Sequence, residues 1–305
     1  MVAGLSGDRS EITSIISTTQ TSSTTFGSMR IGIVGLGAIG GSLALAWRDH
    51  ASVLGWSHDA ADREAARAAG ITVVGGNESA WPTEMMRAAI LVLAVPLNEV
   101  ARVVHELLPG VPDECLLLHV SSLQRREALG LREADFRRIL GTHPIAGSER
   151  SGFGAADATM FRGATVRAES RATARDRARI DALWRAAGAA RIVWEDAEAH
   201  DALMSWVSHL SQLTATALAA VLAEQGIGAR ELGPGARDAT RLAASDYAMW
   251  APILDNAPRE TVAAVRRLTS ALQRLGDALE ARELNSVEQM WQGGRSWRTR
   301  AEDRA

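Results

Sequence analysis

A glycine-rich turn near the N-terminal end of the chain has the residue types and spacing that phosphate binding requires. It consists of Gly35, Leu36, Gly37, Ala38, Ile39 and Gly40. The apolar run RIGIV precedes it and a helix-forming run follows it, which is the context in which a GxGxxG sequence connects a strand to a helix. The first glycine then permits a tight turn, the second lets the backbone approach a pyrophosphate, and the third allows close packing of helix against strand. We therefore predict a nicotinamide dinucleotide site at this turn and a dehydrogenase activity.

The end of the second predicted strand bears on which dinucleotide is bound. Ser57 and His58 stand where an acidic residue would bond the ribose 2′-hydroxyl of NAD. A hydroxyl and an imidazole can accept a 2′-phosphate, whereas a carboxylate would repel it, although Asp59 follows closely. We expect NADP in preference to NAD. Further cofactor contacts are predicted at the ends of later strands. These are Val95, Pro96 and Ser121.

His143 is the first candidate for proton transfer. It follows the predicted strand RILGT and precedes Pro144, so it lies at the carboxyl end of a strand. Ligands bind at that edge of open α/β sheets. An imidazole with a pKa near 6.5 can accept a proton at neutral pH.

Apolar runs alternate with helical stretches over the first two thirds of the chain. The runs are RIGIVG, SVLGWS, AILVLAVP, CLLLHVSS, RILGTHP, ATVRAES and RIVWED. This alternation predicts a parallel sheet with helices on both faces. After Glu195 only helices are expected, the first over 197–224 and others over 236–245 and 259–289. The predicted fold is therefore α/β, with a Rossmann-type dinucleotide-binding domain (29–196) followed by an all-helical dimerisation domain (197–305). Residues 1–28 are rich in Ser and Thr and are interpreted as a disordered leader.

Composition narrows the class of protein. The 305 residues are 47% hydrophobic and carry a net charge of −3, which gives no reason to expect a nucleic acid or an anionic membrane as partner. No run of about 18 apolar residues predicts a membrane span. The single cysteine, Cys115, lies in an apolar run and is expected in the core, which fits a reducing cytoplasm. The seven histidines show no zinc-type spacing.

Three downstream segments, with the strand end LLLHVSSL, carry a more specific signal. They are GTHPIAGSERSGF (141–153), WVSHLSQL (206–213) and GARDATRLAASDYAMW (235–250). In order and spacing they resemble the prephenate/arogenate dehydrogenase (cyclohexadienyl dehydrogenase) family, from Met29 to about residue 290. The resemblance implies an oxidative decarboxylation, in which hydride passes from ring C4 to the nicotinamide and the ring carboxylate leaves as CO₂. It also implies a homodimer formed through the helical domain.

The resemblance also implies roles for individual side chains. His143 would accept or polarise the proton of the C4 hydroxyl, and Ser122 would hydrogen-bond the same hydroxyl. Arg241 would hold a substrate carboxylate, for which a planar guanidinium is suited. Asp238 would orient Arg241 from one helical turn away.

Two further residues are implied at the substrate side. Glu149 matches a family glutamate near the mouth of the site, with a gating or substrate-contact role. His209 matches the first histidine of the family's SHLPH-type helix motif. The alternative for His209 is a buried histidine that holds the domain interface.

The sequence departs from the family pattern close to these residues. Many members carry a second histidine three residues after the first, where this chain has Gln212, so a substrate-binding role there is altered. The family's strand end has an acid and a lysine where this chain has His119 and Gln124. Prephenate, arogenate and the ring-amino analogue 4-amino-4-deoxyprephenate all stay open as substrates. Another two-domain NADP-dependent enzyme, such as a β-hydroxyacid dehydrogenase or an imine reductase, and a dinucleotide sensor without catalysis are the broader alternatives.

Overall fold

The computed structural model describes residues 29–75, 81–147 and 150–302. The predicted leader (1–28) and the predicted mouth residue Glu149 lie outside these ranges.

An eight-stranded sheet forms the centre of the N-terminal part, with the strand order β3-β2-β1-β4-β5-β6-β7-β8. The strands are β1 (Arg30–Val34), β2 (Ser52–Trp56), β3 (Thr72–Val73), β4 (Ile90–Leu93), β5 (Leu116–His119), β6 (Ile139–Pro144), β7 (Thr165–Glu169) and β8 (Arg191–Glu195). Every predicted apolar run contains one of them. The two-residue edge strand β3 was not predicted, because so short a strand has no periodicity.

The expectation of an all-parallel sheet is wrong at one point. Strands β1 to β6 pair in parallel, but β7 pairs antiparallel with β6, and β8 is again parallel to β7. A parallel return needs a crossover connection, usually a helix. The described residues between β6 and β7 contain only a 3-10 turn (Phe153–Ala155), so the chain turns directly back.

Helices cover both faces of the sheet, as predicted. In this part they are α1 (Ala38–Trp47), α2 (Ala60–Ala68), α3 (Thr83–Met86), α4 (Val100–Leu107), α5 (Glu133–Phe136) and α6 (Ala174–Ala186). Alternate residues of β4 enter the two cores. Val92 packs in the core that contains Trp47 and Trp184, and Leu91 packs in the core that contains Val104. Full burial on both faces explains the unbroken apolar run of β4.

The chain is helical after β8 in the described residues. The helices are α7 (Ala197–Met204), α8 (Leu210–Glu224), α9 (Pro234–Thr240), α10 (Tyr247–Asp255), α11 (Arg259–Glu280) and α12 (Leu284–Glu302). A π-helical turn (Ser205–His209) joins α7 to α8, so the predicted helix over 197–224 is continuous but not uniform. Helix α10 was not predicted.

The single helix predicted over 259–289 is wrong. Helix α11 ends in a Schellman motif, in which the Glu283 N–H donates to the Ala278 carbonyl (2.8 Å) and the Arg282 N–H to the Leu279 carbonyl (3.2 Å). Arg282 takes the left-handed conformation (φ 56°). Glycine usually marks this position, and its absence here concealed the break from the sequence.

The helix Ala197–Glu224 is long and apolar enough, by length and composition, to cross a membrane. It also buries Asp201 and His200, which are hydrogen-bonded to the sheet domain. Polar side chains buried and hydrogen-bonded in this way indicate that the first turns of this helix pack against protein.

Candidate active site

The glycine turn has the geometry that the sequence predicted. Gly35 has φ +94°, and a side chain there would collide with the Ala94 carbonyl; one at Gly40 would collide with the Gly35 carbonyl. At Gly37 nothing lies within 4 Å of the position of a Cβ, and this residue precedes α1 without a side-chain cap. Open space beside free helix N–H groups fits the diphosphate of a dinucleotide.

The other predicted cofactor residues near this turn differ in burial and in position. Leu36 is fully buried against Gly55, so only its backbone faces the turn. Ala38 and Ile39 form the first turn of α1. Val95 is partly buried and Pro96 is exposed just beyond β4.

The end of β2 shows how the ribose region is built. Ser57 is buried, and its hydroxyl accepts the Asp59 N–H (3.2 Å). The Asp59 carboxylate caps α2 by accepting the Asp62 N–H (2.9 Å), a bond that lowers the pKa of Asp59. The Arg63 guanidinium donates to the carbonyls of Ser57 (2.9 Å) and His58 (2.7 Å). His58 itself is exposed.

The ends of β5 and β6 place the predicted catalytic residues at one edge of the sheet. His119, the last residue of β5, is in register with Gly141 of β6, and the Thr142 hydroxyl donates to the His119 carbonyl (3.3 Å). His143 follows in β6, and Ser122 lies just beyond β5. Ser121, also beyond β5, is buried, and its hydroxyl has no partner among the described residues.

His143 is in contact with a histidine–aspartate pair that the sequence reasoning missed. The Nδ1 atom of His143 lies 3.0 Å from Nε2 of His200, and Nδ1 of His200 lies 2.8 Å from Oδ1 of Asp201. His200 and Asp201 are adjacent in α7 and completely buried. A His-Asp dipeptide in a helix that is mostly Ala, Leu and Met, AEAHDALM, was the signal that could have revealed them.

The loop after β5 holds the Asp201 carboxylate. Oδ1 accepts the backbone N–H of Gln124 (2.8 Å), and Oδ2 accepts both the backbone N–H and the Nε–H of Arg125 (each 3.1 Å). The Gln124 side chain donates to the Arg167 carbonyl (3.0 Å). Gln124 thus links the loop after β5 to β7.

Burial sets the protonation of the histidines in this region. It is the largest cause that holds the pKa of His143 well below its usual range, followed by the nearby His200. Burial also lowers the pKa of His119 to about 3 and lowers the pKa of His209. These three imidazoles are therefore neutral at neutral pH, and His143 is available to accept a proton.

The π turn rotates His209 toward the side of the helix that carries His200. In a regular helix, residues nine positions apart point in opposite directions; the extra residue that a π turn accommodates reduces the angle to about 80°. His209 is buried, and its Nδ1 lies 2.9 Å from the Thr261 hydroxyl, which donates to the Ser205 hydroxyl (3.0 Å). His209 thus joins the π turn to α11.

The predicted pairing of Asp238 with Arg241 is not present. Both side chains are exposed, and neither makes a hydrogen bond or ion pair with a described residue. Helix α9 ends at Thr240 and Arg241 begins a 3-10 turn (Arg241–Ala244), so the spacing of a continuous α-helix does not apply.

Gln212 is attached to the segment that carries Arg241. Its amide donates to the Leu242 carbonyl (2.8 Å), and its carbonyl accepts the Ser245 hydroxyl (3.4 Å). The residue is buried. In this structure Gln212 therefore anchors the Arg241 segment to α8.

Comparison with known proteins identifies the family. The nucleotide-binding domain of prephenate dehydrogenase matches residues 43–190, and its dimerization domain matches residues 196–292. Prephenate dehydrogenase of Bacillus subtilis is 29% identical over 73% of this chain, and the match spans 62% of that protein's length. Cyclohexadienyl dehydrogenase of Zymomonas mobilis is 30% identical over 75% of this chain and 81% of its own length.

Solved structures show the same architecture. Prephenate dehydrogenase from A. aeolicus, in complex with hydroxyphenyl propionate and NAD+, has a TM-score of 0.76 at 22% identity, covering 86% of this chain and 94% of its own. A Corynebacterium glutamicum protein described as a prephenate dehydrogenase has a TM-score of 0.70 at 27% identity, covering 83% and 82% of the two chains. Because the two family domains match most of its length, the chain belongs to the prephenate dehydrogenase family of oxidoreductases.

Proposed function

We propose that this protein catalyses the nicotinamide-dependent oxidative decarboxylation of prephenate or arogenate, giving 4-hydroxyphenylpyruvate or tyrosine. The observation that carries the proposal is His143. It is a neutral imidazole at the carboxyl edge of the sheet that also carries the glycine turn. Its Nδ1 is engaged by His200. Family membership supports this reaction over that of a β-hydroxyacid dehydrogenase or an imine reductase.

Each residue has a defined task in this reaction. A bound nicotinamide would supply the hydride acceptor. His143 Nε2 accepts the proton of the C4 hydroxyl as the C4–H leaves as hydride, and the C1–carboxylate bond breaks to release CO₂ and an aromatic ring. Ser122 orients the hydroxyl, and Arg241 binds a substrate carboxylate. His209 lines the substrate side, and Glu149 is assigned a gating or substrate-contact role.

For the cofactor, we propose a preference for NADP. Ser57 presents no carboxylate, and the Asp59 carboxylate is used to cap α2. The Arg63 guanidinium, drawn against the carbonyls of Ser57 and His58, brings positive charge to the same strand end. Positive charge without a free carboxylate suits a 2′-phosphate.

The ring-amino analogue 4-amino-4-deoxyprephenate is the second candidate substrate. This chain differs from the family pattern at His119, Gln124 and Gln212. These positions flank the residues that would bind the C4 substituent and the side chain of the substrate, so the differences keep the amino analogue as a candidate. With prephenate or arogenate, His143 would accept a proton from the C4 hydroxyl. With the analogue, it would accept a proton from the C4 amino group.

One assay tests reaction, substrate and cofactor together. Purified protein is mixed with prephenate, arogenate or the amino analogue, each with NAD and with NADP, and the reduced cofactor is followed by its absorbance. We expect reduction with one cyclohexadienyl acid and a higher kcat/KM with NADP. Reduction with none of the three would contradict the proposed function and favour a dinucleotide sensor, and a higher kcat/KM with NAD would contradict the cofactor preference.

A further inference from the structure

We propose that His200 and Asp201 are a positioning pair that fixes the tautomer of His143, with a proton on Nδ1 and a free lone pair on Nε2. This inference rests on the proposed role of His143 as the base. It assigns a task to two buried residues outside the motifs that the sequence singled out.

For a neutral His200, the hydrogen-bond chain has one consistent assignment of protons. Both oxygens of Asp201 already accept N–H groups of Gln124 and Arg125, so Asp201 is also the acceptor toward Nδ1 of His200, at 2.8 Å, and this nitrogen carries a proton. In a neutral imidazole the other nitrogen is then an acceptor, which makes Nε2 of His200 an acceptor. At 3.0 Å from it, Nδ1 of His143 must be the donor. Nε2 of His143 is left as the proton acceptor.

The carboxylate at the end of this chain is held rigidly. Asp201 is fully buried and accepts three hydrogen bonds from Gln124 and Arg125 besides that from His200. The guanidinium of Arg125 lies 3.1 Å from the carboxylate and compensates its charge. Arg125 also donates to the Asn256 carbonyl (3.1 Å), so its own position is fixed. A charge that is buried and fully bonded keeps one geometry.

The same chain stabilises His143 after it has accepted the substrate proton. The imidazolium then donates from Nδ1 to His200, and His200 donates to Asp201, so the new positive charge faces a carboxylate through one intervening ring. Such stabilisation acts in a buried site, where electrostatic interactions are stronger than in water. This stabilisation does not require a proton to leave the hydrogen-bond chain.

The pair also couples the two parts of the molecule. His143, Gln124 and Arg125 belong to the sheet domain, whereas His200 and Asp201 lie in the first turns of α7. The base is therefore in its active tautomer only when α7 is seated against β6 and the loop after β5. This explains why a residue pair in a helix bears on chemistry at a strand end.

Asp201→Asn is the decisive substitution. It preserves size but replaces one acceptor by an amide donor. The asparagine oxygen keeps the two Arg125 donors, because the opposite rotamer would leave both without an acceptor. The amide nitrogen then replaces the oxygen that faces Nδ1 of His200 and the Gln124 N–H, which loses its acceptor. The amide donates to Nδ1 of His200 and reverses both imidazoles, which places a proton on Nε2 of His143. The same change behind the histidine of a Ser-His-Asp triad costs about 10⁴-fold in kcat, because the imidazole adopts the wrong tautomer.

The tautomer is read directly from the imidazole nitrogens in ¹⁵N–¹H NMR spectra of the full chain, with the His143 signals assigned by their loss in His143→Asn. We expect a proton on Nδ1 in the wild type and on Nε2 in Asp201→Asn. We further expect a loss in kcat of about 10²- to 10⁴-fold with unchanged cofactor binding. His200→Gln, whose carbonyl can still accept from His143, retains the wild-type tautomer and more activity than Asp201→Asn.

Asp135→Asn is the matched control, because Asp135 is another buried carboxylate paired with an arginine, Arg132, away from the site. It should leave tautomer and kcat unchanged. A proton on Nε2 of His143 in the wild type, or an unchanged tautomer in Asp201→Asn, overturns the inference. A reversed tautomer with unchanged kcat supports the positioning role and overturns His143 as the base. The wild-type spectrum alone decides the inference if Asp201→Asn does not fold.

Discussion

At the scale of single residues, the site depends on imidazoles whose pKa values lie below their usual range. His119, His143 and His209 all have pKa values lowered chiefly by burial. The sequence predicted His143 and His209 through their motifs. The His-Asp dipeptide of α7 was visible in the sequence, but its role was not, because that role depends on a contact between α7 and β6 that no local pattern encodes.

The lowered pKa of His119 predicts the direction in which stability changes with pH. Its folded pKa of about 3 lies below the ordinary 6.5, so the unfolded state binds the extra proton. The stability contribution is complete above pH 6.5 and is lost as the pH falls toward 3. Between pH 7.5 and 5 this amounts to about 2 kcal/mol in the free energy of unfolding.

His119→Leu removes this titration and the two ring nitrogens, which have no partner among the described residues. Urea denaturation at pH 7.5 and pH 5 should show a smaller fall in stability for the variant than for the wild type. An equal fall in both proteins would contradict the burial of a neutral His119.

Ser57→Asp tests the cofactor preference. A carboxylate at the end of β2 repels a 2′-phosphate and bonds a 2′-hydroxyl. We expect kcat/KM with NADP to fall at least about tenfold, which corresponds to about 1.4 kcal/mol, while that with NAD falls less. Ser170→Asp, in the loop after β7, serves as a control. If both cofactors are affected equally in Ser57→Asp, the residue does not face the ribose.

At the scale of elements, the sequence patterns located the strands well and the interruptions of helices poorly. Continuous apolar runs identified the strands, because a strand buried on both faces leaves that signature. The π turn at Ser205–His209 and the break at Arg282 escaped prediction, because neither contains glycine or proline. The antiparallel β7 also escaped, since strand direction follows from the connection and not from the strand's composition.

Arg282→Gly tests the break between α11 and α12. A left-handed conformation costs a non-glycine residue roughly 1–2 kcal/mol, and glycine adopts it freely. We expect the variant to be more stable than the wild type by about 1 kcal/mol, measured by chemical denaturation.

The adjacent Ala281→Gly provides the matched control, because Ala281 has a right-handed conformation (φ −74°). Glycine there should lower stability. If both substitutions change stability in the same direction, the helix break is not where the structure places it.

At the scale of the whole molecule, the helical domain has more exposed apolar surface than a monomer needs. Trp291 is 73% exposed and Trp297 65% exposed on α12, and Leu272 and Leu279 are exposed on α11. Large exposed apolar patches indicate association sites. The corresponding family domain is described as a dimerization domain. We therefore propose a homodimer formed through these helices.

Trp291→Glu combined with Trp297→Glu should shift the protein from dimer to monomer in sedimentation velocity, because each carboxylate would be buried in the interface without a partner. Ala68→Glu, on the exposed side of α2 in the sheet domain, is the control and should leave the mass unchanged. A dimer that persists in the double variant places the interface elsewhere.

We propose His143 as the base of a cyclohexadienyl dehydrogenase, and His143→Asn tests this role most directly. The measurement is kcat with the preferred cyclohexadienyl substrate, accompanied by the dissociation constant of the cofactor and compared with His50→Asn, an exposed histidine. We expect a loss in kcat of at least about 10²-fold, the range of general-base catalysis, with cofactor binding unchanged and His50→Asn fully active. A His143→Asn protein with kcat within tenfold of the wild type would contradict it.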